Sequence, residues 1–94
     1  MGAPYKFRLY VAGMTPRCEA ARDHVTKICK THLSGQYLIE VIEVLEKPQL
    51  VQGDQILAIP TLVRQLPPPI RKISGDLSDP ERVLGALDVR YSRP

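Results

Sequence analysis

The sequence predicts one α/β domain, residues 1–94, with the element order βαβαββα. Ninety-four residues are enough for one hydrophobic core and too few for two. The first half of the chain runs from an apolar strand pattern through a long helical pattern to a second strand pattern, which is typical of a parallel crossover unit. Pro60 stands directly before another apolar strand, a position that a residue without an N–H tolerates.

The first half is predicted to form strand, helix, strand. Residues 7–12 (FRLYVA) are rich in β-branched and aromatic side chains and predict a central strand. Thr15 is a suitable N-cap and Pro16 suits the first helical position, so a helix is predicted from there to a stop at 34–35. Residues 36–44 predict the second strand. The inner stripe of the helix consists of Cys18, Ala21, Val25, Ile28, Cys29 and His32.

The second half is predicted to add a short helix, a hairpin and a last helix. Pro48 opens a short helix that reaches Gln55, and Gly53 weakens it. Residues 61–66 and 70–74 predict two strands joined through a stiff run of three prolines. The motif Ser78-Asp79-Pro80-Glu81 has the spacing of a capping box with Ser78 as the cap, and a helix with Val83, Leu84 and Leu87 on one face follows it.

Composition and charge point to an ordinary globular protein. The chain is 44% hydrophobic and 24% charged, and its net charge of +3 comes from scattered residues. No Trp and a single Phe leave few aromatic side chains on which bases could stack. No apolar run approaches the roughly 20 residues that cross a bilayer, and no secretion signal is apparent. We therefore expect a cytoplasmic protein that binds neither nucleic acid nor membrane.

Ile59-Pro60-Thr61 and the βαβαββα order are together typical of the thioredoxin fold, where such a proline lies beside a Cys-x-x-Cys active site. Here the matching residues are 15–18 (TPRC). Thr15 stands where the nucleophilic cysteine would be, and only the second position, Cys18, is a cysteine. Cys29 lies roughly 16 Å further along the helix, whereas disulfide-bonded residues have Cα atoms within about 7 Å. We expect the scaffold without the dithiol. A thiol-dependent redox role of Cys18 alone is the alternative.

No other pattern predicts catalysis or a metal centre. Cys29-x-x-His32 lacks a second ligand pair with zinc spacing. Asp76 and Asp79 flank the start of the last helix, where a capping role explains them. The chain shows no Ser-His-Asp order, phosphate loop or paired carboxylates in an apolar setting. We therefore expect no enzyme, no metal and no cofactor.

Basic residues bracket the proline run. Arg64 precedes it, and Arg71 and Lys72 follow it. If the two strands pair as a hairpin, Arg64 shares a face with one of the other two and forms a basic patch. Two interpretations are open: the patch docks an acidic partner surface, or its charges keep an edge strand from aggregating.

Three long stretches carry a family resemblance: LYVAGMTP (9–16), KPQLVQGDQILAIPTLVRQLPPPIRKISGDLSD (47–79) and ERVLGALD (81–88). In these residues, and in the strand YLIEVIEV, the chain resembles the KaiB family of circadian clock proteins. The resemblance implies a non-enzymatic regulator that binds the hexameric clock ATPase KaiC and competes with or recruits KaiA-like and histidine-kinase regulators. A third alternative is a sensor module resembling the N-terminal domain of a clock histidine kinase.

The resemblance also implies that one chain adopts two folds. The resting form is an oligomer, a tetramer or dimer, with the order βαββααβ, and the binding-competent monomer is thioredoxin-like. Residues 83–91 (VLGALDVRY) carry β-branched side chains, and in the resting form they become a terminal strand. The residues that match the family's structural and fold-switching positions are Tyr5, Pro60, Thr61, Pro67, Pro68, Pro69, Gly75, Asp76 and Asp88.

The same resemblance assigns partner binding to Arg64, Arg71 and Lys72. Other positions depart from the family: Ala20, Glu40 and Gln55 stand where clock members typically have Arg or Lys. The partner-binding face is therefore expected to be less positive than in those members. The chain is therefore expected to be a divergent member, attached to a related ATPase or to a stress-response pathway.

Overall fold

A computed structural model describes residues 5–13, 15–33 and 36–89. The predicted order βαβαββα is confirmed. The strands are β1 (Tyr5–Val11), β2 (Tyr37–Glu43), β3 (Thr61–Leu66) and β4 (Arg71–Ser74). The helices are α1 (Pro16–His32), α2 (Pro48–Gly53) and α3 (Pro80–Ala86). The predicted helix stop at 34–35 and the end of the alternative strand, residues 90–91, lie outside the described residues.

The four strands form one mixed sheet in the order β2-β1-β3-β4. β1 and β2 are parallel, as the strand-helix-strand pattern predicts, while β1 with β3 and β3 with β4 are antiparallel. The predicted hairpin across the proline run is therefore confirmed. β2 and β4 are the two edge strands.

The sheet buries side chains on both faces because successive strand residues point to opposite sides. Phe7, Leu9 and Val11 of β1 pack with buried residues of α1 and α3 in the main core. Tyr10 points the other way and packs with Ile42 and Val63, where α2 adds only partly buried side chains. No helix in the described part of the chain has both the length and the apolar character of a membrane span.

The caps of α1 and α3 show where local sequence rules succeed. The Thr15 hydroxyl accepts a hydrogen bond from the Cys18 N–H at 3.2 Å, and Pro16 begins α1, as predicted. The predicted cap of α3 is wrong by one residue: Asp79, not Ser78, accepts the N–H of Glu81 at 3.1 Å. Pro80 explains the shift, because it holds the preceding residue in an extended conformation and itself suits the first helical position.

Element ends differ by one or two residues from those predicted. β1 begins at Tyr5 rather than at residue 7, and β4 begins at Arg71 rather than at residue 70. α2 ends at Gly53 because Gln55 adopts a left-handed conformation with φ of 55°.

Candidate docking surface at the β4 edge

The hairpin of β3 and β4 places the three basic residues on opposite sides of the sheet. Arg64 lies directly across from Arg71, and Val63 lies across from Lys72. Directly opposed residues share a face, so Arg64 and Arg71 point to one side and Lys72 to the other.

Arg64 is buried, with an exposed fraction of 4%. Its Nη1 donates to the carbonyl of Asp88 at 2.9 Å and its Nη2 to the carbonyl of Pro69 at 2.8 Å. The expectation that Arg64 contributes charge to a surface patch is therefore wrong. The side chain instead joins β3 to the proline turn and to the end of α3, with backbone carbonyls as its acceptors.

Arg71 and Lys72 are both exposed but differ in their contacts. The Arg71 side chain makes no hydrogen bond or ion pair with any described residue. The Nζ of Lys72 donates to the carbonyls of Asp54 at 2.8 Å and Gln55 at 3.3 Å. Arg71 is thus available to a partner, whereas Lys72 is held against the end of α2.

Leu57 adds an apolar side chain that sequence reasoning missed. Its side chain is 97% exposed, and it lines a hollow of about 170 Å³ together with Lys72 and Thr61. The run 56–59 is uniformly apolar, so nothing in the sequence indicates that Leu57 is exposed. The run follows the left-handed turn at Gln55. We call Leu57, Arg71 and Lys72 the β4 edge surface; Leu57 and Lys72 lie on one side of the edge, and Arg71 points to the other side.

Proline residues lie directly before and after β3, next to this surface. The peptide bonds before Pro60, Pro67 and Pro69 are cis. The hydroxyl of Thr61, at the start of β3, donates to the carbonyl of Ala58 at 2.5 Å. Pro68 completes the turn that carries the acceptor of Arg64.

The other predicted structural residues lie in turns or in the core. Gly75 has φ of 93°, a conformation that favours glycine. The Asp76 carboxylate accepts the Ser78 N–H at 3.0 Å, and hydrogen bonds from Ser78 lower the pKa of this carboxyl. Asp88 has φ of 52° at the end of α3, and the Tyr5 ring stacks on Phe7 with centroids 6.0 Å apart.

The cleft beside Pro60, where a thioredoxin holds its active site, contains no thiol. It measures about 190 Å³, and its lining residues include Arg17, Ala20 and Asp76 but no cysteine. Cys18 is 3% exposed, and burial raises the pKa of the Cys29 thiol to about 12. The burial of Cys18 limits access to its sulfur, which disfavours the redox alternative for this residue. Among the described residues, no cluster of three or more potential metal ligands occurs.

Comparison with known proteins identifies the family. The model of the KaiB domain matches residues 8–89 of the chain. The chain belongs to the KaiB family. The circadian clock oscillator protein KaiB of Acaryochloris marina is 53% identical over 87 residues, which cover 93% of this chain and 84% of that protein. The KaiB of Nostoc punctiforme is 52% identical with the same coverage.

Solved structures place this KaiB-family chain in the thioredoxin-like fold. The N-terminal domain of SasA from Synechococcus elongatus superposes with a TM-score of 0.73 at 21% identity, over 94% of this chain and 80% of that one. Mitochondrial thioredoxin 3 of Saccharomyces cerevisiae gives a TM-score of 0.70 at 19% identity, over 89% and 76%. The predicted fold class is confirmed.

Two of the residues for which the sequence resemblance predicted a departure from the family pattern have structural partners in this chain. The Glu40 carboxylate pairs with Arg8 of β1 at 3.3 Å across the sheet. Gln55 occupies the left-handed turn, and its carbonyl accepts from Lys72. The third, Ala20, is exposed on α1.

Proposed function

We propose that this chain is a non-enzymatic regulatory adaptor of a Kai-type clock or of a clock-derived stress-response system. In its thioredoxin-like form it binds a KaiC-like hexameric ATPase through the β4 edge surface. The observation that carries the proposal is Arg71, an exposed cation without a hydrogen-bond or ion-pair partner in the part of the chain that the structure describes. The fully exposed Leu57 and the tethered Lys72 are the other members of that surface.

The chemistry of the β4 edge surface specifies its complement. Arg71 can form a bidentate pair with a carboxylate, and Leu57 can enter a small apolar pocket. A partner that contacts both sides of the β4 edge, with an acidic patch against Arg71 and an apolar hollow against Leu57, fits both residues. The charges accelerate encounter in a salt-dependent way, and the leucine contributes most to residence time.

The adaptor also competes with or recruits KaiA-like and histidine-kinase regulators on the ATPase, and it acts in the cytoplasm. At rest the chain is a homo-oligomer, a tetramer or dimer, with the order βαββααβ, and it switches to the thioredoxin-like fold to bind. Two packings of one sequence can differ by only a few kcal/mol. The β-branched residues of 83–89, which follow the start of α3, support a second packing for this segment.

The proposal is tested by reversing one charge. Arg71→Glu is expected to weaken binding to a KaiC-like ATPase from the same host by tenfold or more, because a partner carboxylate then faces a carboxylate. Binding is measured by biolayer interferometry with ATP present and at two salt concentrations. Arg64 is left intact, since its substitution would disturb the fold.

The matched control is Lys30→Glu, the same charge change at an exposed position of α1. It is expected to leave binding nearly unchanged. If Arg71→Glu and the unmodified chain bind with equal affinity, the β4 edge surface is not the docking site. If the unmodified chain does not bind the ATPase, the proposed adaptor function is wrong.

A further inference from the structure

α2 is weakly held by apolar contacts. It has six residues, none of them buried, and its N-cap residue Lys47 makes no side-chain cap hydrogen bond. Leu50 and Val51 pack only partly against the cluster around Tyr10. A segment with so little buried apolar surface opens locally at low cost unless other contacts hold it.

Polar contacts converge instead on Asp54, the C-cap of α2, which is 8% exposed. Its Oδ2 accepts the Tyr10 hydroxyl at 2.5 Å and lies 3.4 Å from Nη1 of Arg8. Its backbone carbonyl accepts Nζ of Lys72 at 2.8 Å. Side chains from β1 and β4 therefore meet at one residue of a short helix.

The partners of Asp54 suit a strong polar contact. Burial and the adjacent Asp54 carboxylate raise the pKa of Tyr10 to about 12, so its hydroxyl stays a donor at neutral pH. The Tyr10 hydroxyl also lies 3.3 Å from the carbonyl of Leu50 inside α2. Arg8 continues the network to Glu40 of β2 at 3.3 Å.

We propose that Asp54 is a latch that docks α2 on the sheet and positions Lys72 in the β4 edge surface. The segment pivots at the exposed turn 45–47, and the closing contacts of Asp54 lie at its other end, with one further contact from Tyr10 to the Leu50 carbonyl. When the latch opens, Tyr10, Ile42 and Val63 lose their cover and Lys72 loses both carbonyl acceptors. Asp54 thus controls a docking surface of which it is not a part, and this last step rests on the proposed function.

Local opening of the free protein tests the latch without any partner. Asp54→Asn keeps an acceptor for Tyr10 but removes the charge that Arg8 meets, and Tyr10→Phe removes the hydroxyl and keeps the ring. Both variants are expected to speed hydrogen exchange at least tenfold for the amides of Asp54 and Ile56, which bond to Leu50 and Val51. The amides of α1 are expected to exchange as before.

The control is Asp23→Asn, which changes the same charge at an exposed position of α1. Exchange is followed by NMR on the full chain. Unchanged rates at residues 54–56 in both variants would overturn the latch. An equal increase in every element would also overturn it, because Asp54 would then contribute to global stability only.

Binding to the KaiC-like ATPase tests the second step. Asp54→Asn is expected to weaken binding several-fold although Arg71 and Leu57 are unchanged. Unaltered affinity together with faster local exchange would overturn the positioning role of Asp54. If the unmodified chain does not bind while the exchange result holds, the proposed function fails and the latch stands.

Discussion

Arg64 and Arg71 show that residue type alone does not assign a role. They are directly opposed in the hairpin and share a face; the sequence predicted that Arg64 shares a face with either Arg71 or Lys72, without deciding which. Only Arg64 is buried, because the carbonyls of Pro69 and Asp88 converge on its guanidinium. Those acceptors belong to two segments that no local pattern connects, so the burial could not be predicted.

Alanine at each of these two positions separates stability from binding. Arg64→Ala is expected to lower the free energy of unfolding by about 2–4 kcal/mol, because two carbonyls lose a charged donor. Arg71→Ala is expected to change it by less than about 0.5 kcal/mol, since the side chain is exposed and unpaired within the described residues. Urea unfolding of the thioredoxin-like form gives both values. Equal losses would contradict the distinction.

The Asp76 carboxyl predicts an acid-sensitive contribution to stability. Hydrogen bonds from Ser78 lower its pKa in the folded state, so folding favours the ionised form. The contribution is complete above the unfolded pKa of about 3.9 and is lost as the pH falls through the lower folded value. Asp76→Asn is therefore expected to flatten the loss of stability below about pH 4.

Chemical denaturation between acidic and neutral pH measures this slope. Asp23→Asn removes a carboxyl from an exposed position of α1 and is expected to leave more of the acid-side slope intact. An identical pH profile for Asp76→Asn and the unmodified chain would refute the assignment.

At the scale of elements, the sequence predicts the ends of helices and strands correctly where a contact between neighbouring residues determines them. The bounds of β3 and the start of α1 match the sequence pattern because a proline or a cap fixes each of them. The end of α2 depends on the left-handed Gln55, and the exposed Leu57 lies two residues after it. Non-glycine residues seldom adopt this conformation. The sequence pattern therefore predicted neither the end of α2 at Gly53 nor the exposure of Leu57.

The start of α3 is a direct test of the corrected cap. Asp79→Ala is expected to destabilise the protein by about 1 kcal/mol, the usual effect of losing an N-cap side chain. Ser78→Ala removes a hydroxyl that contacts Asp76 and is expected to have a smaller effect. Thermal unfolding of the two variants in parallel decides between them, and the reverse ranking would restore Ser78 as the cap.

At the scale of the whole molecule, the fold is that of a thioredoxin with its thiol chemistry absent from the cleft beside Pro60. The element order, the helices and the hairpin followed from the sequence. The difference between Arg71, which has no partner among the described residues, and the tethered Lys72 did not, because Lys72 is held by carbonyls at the end of α2. The periodicity of a sequence does not indicate which distant backbone carbonyls will accept a hydrogen bond from a side chain.

The proposed second packing makes Arg64 a determinant of the balance between folds. Its contacts join β3, the proline turn and residue 88, and residue 88 lies in the segment 83–91 for which we propose a strand in the resting form. Arg64→Ala therefore removes contacts that hold residue 88 in its thioredoxin-like position. The ratio of the resting oligomer to the thioredoxin-like monomer is expected to rise tenfold or more.

Size-exclusion chromatography with NMR of residues 83–89 measures this ratio. Protein concentrations must be matched, since assembly itself shifts the equilibrium by mass action. Arg71→Ala, which loses a similar side chain from the opposing position, is expected to keep the original ratio. A shift of Arg64→Ala toward the monomer would mean that the buried charge strains the thioredoxin-like packing more than its hydrogen bonds stabilise it.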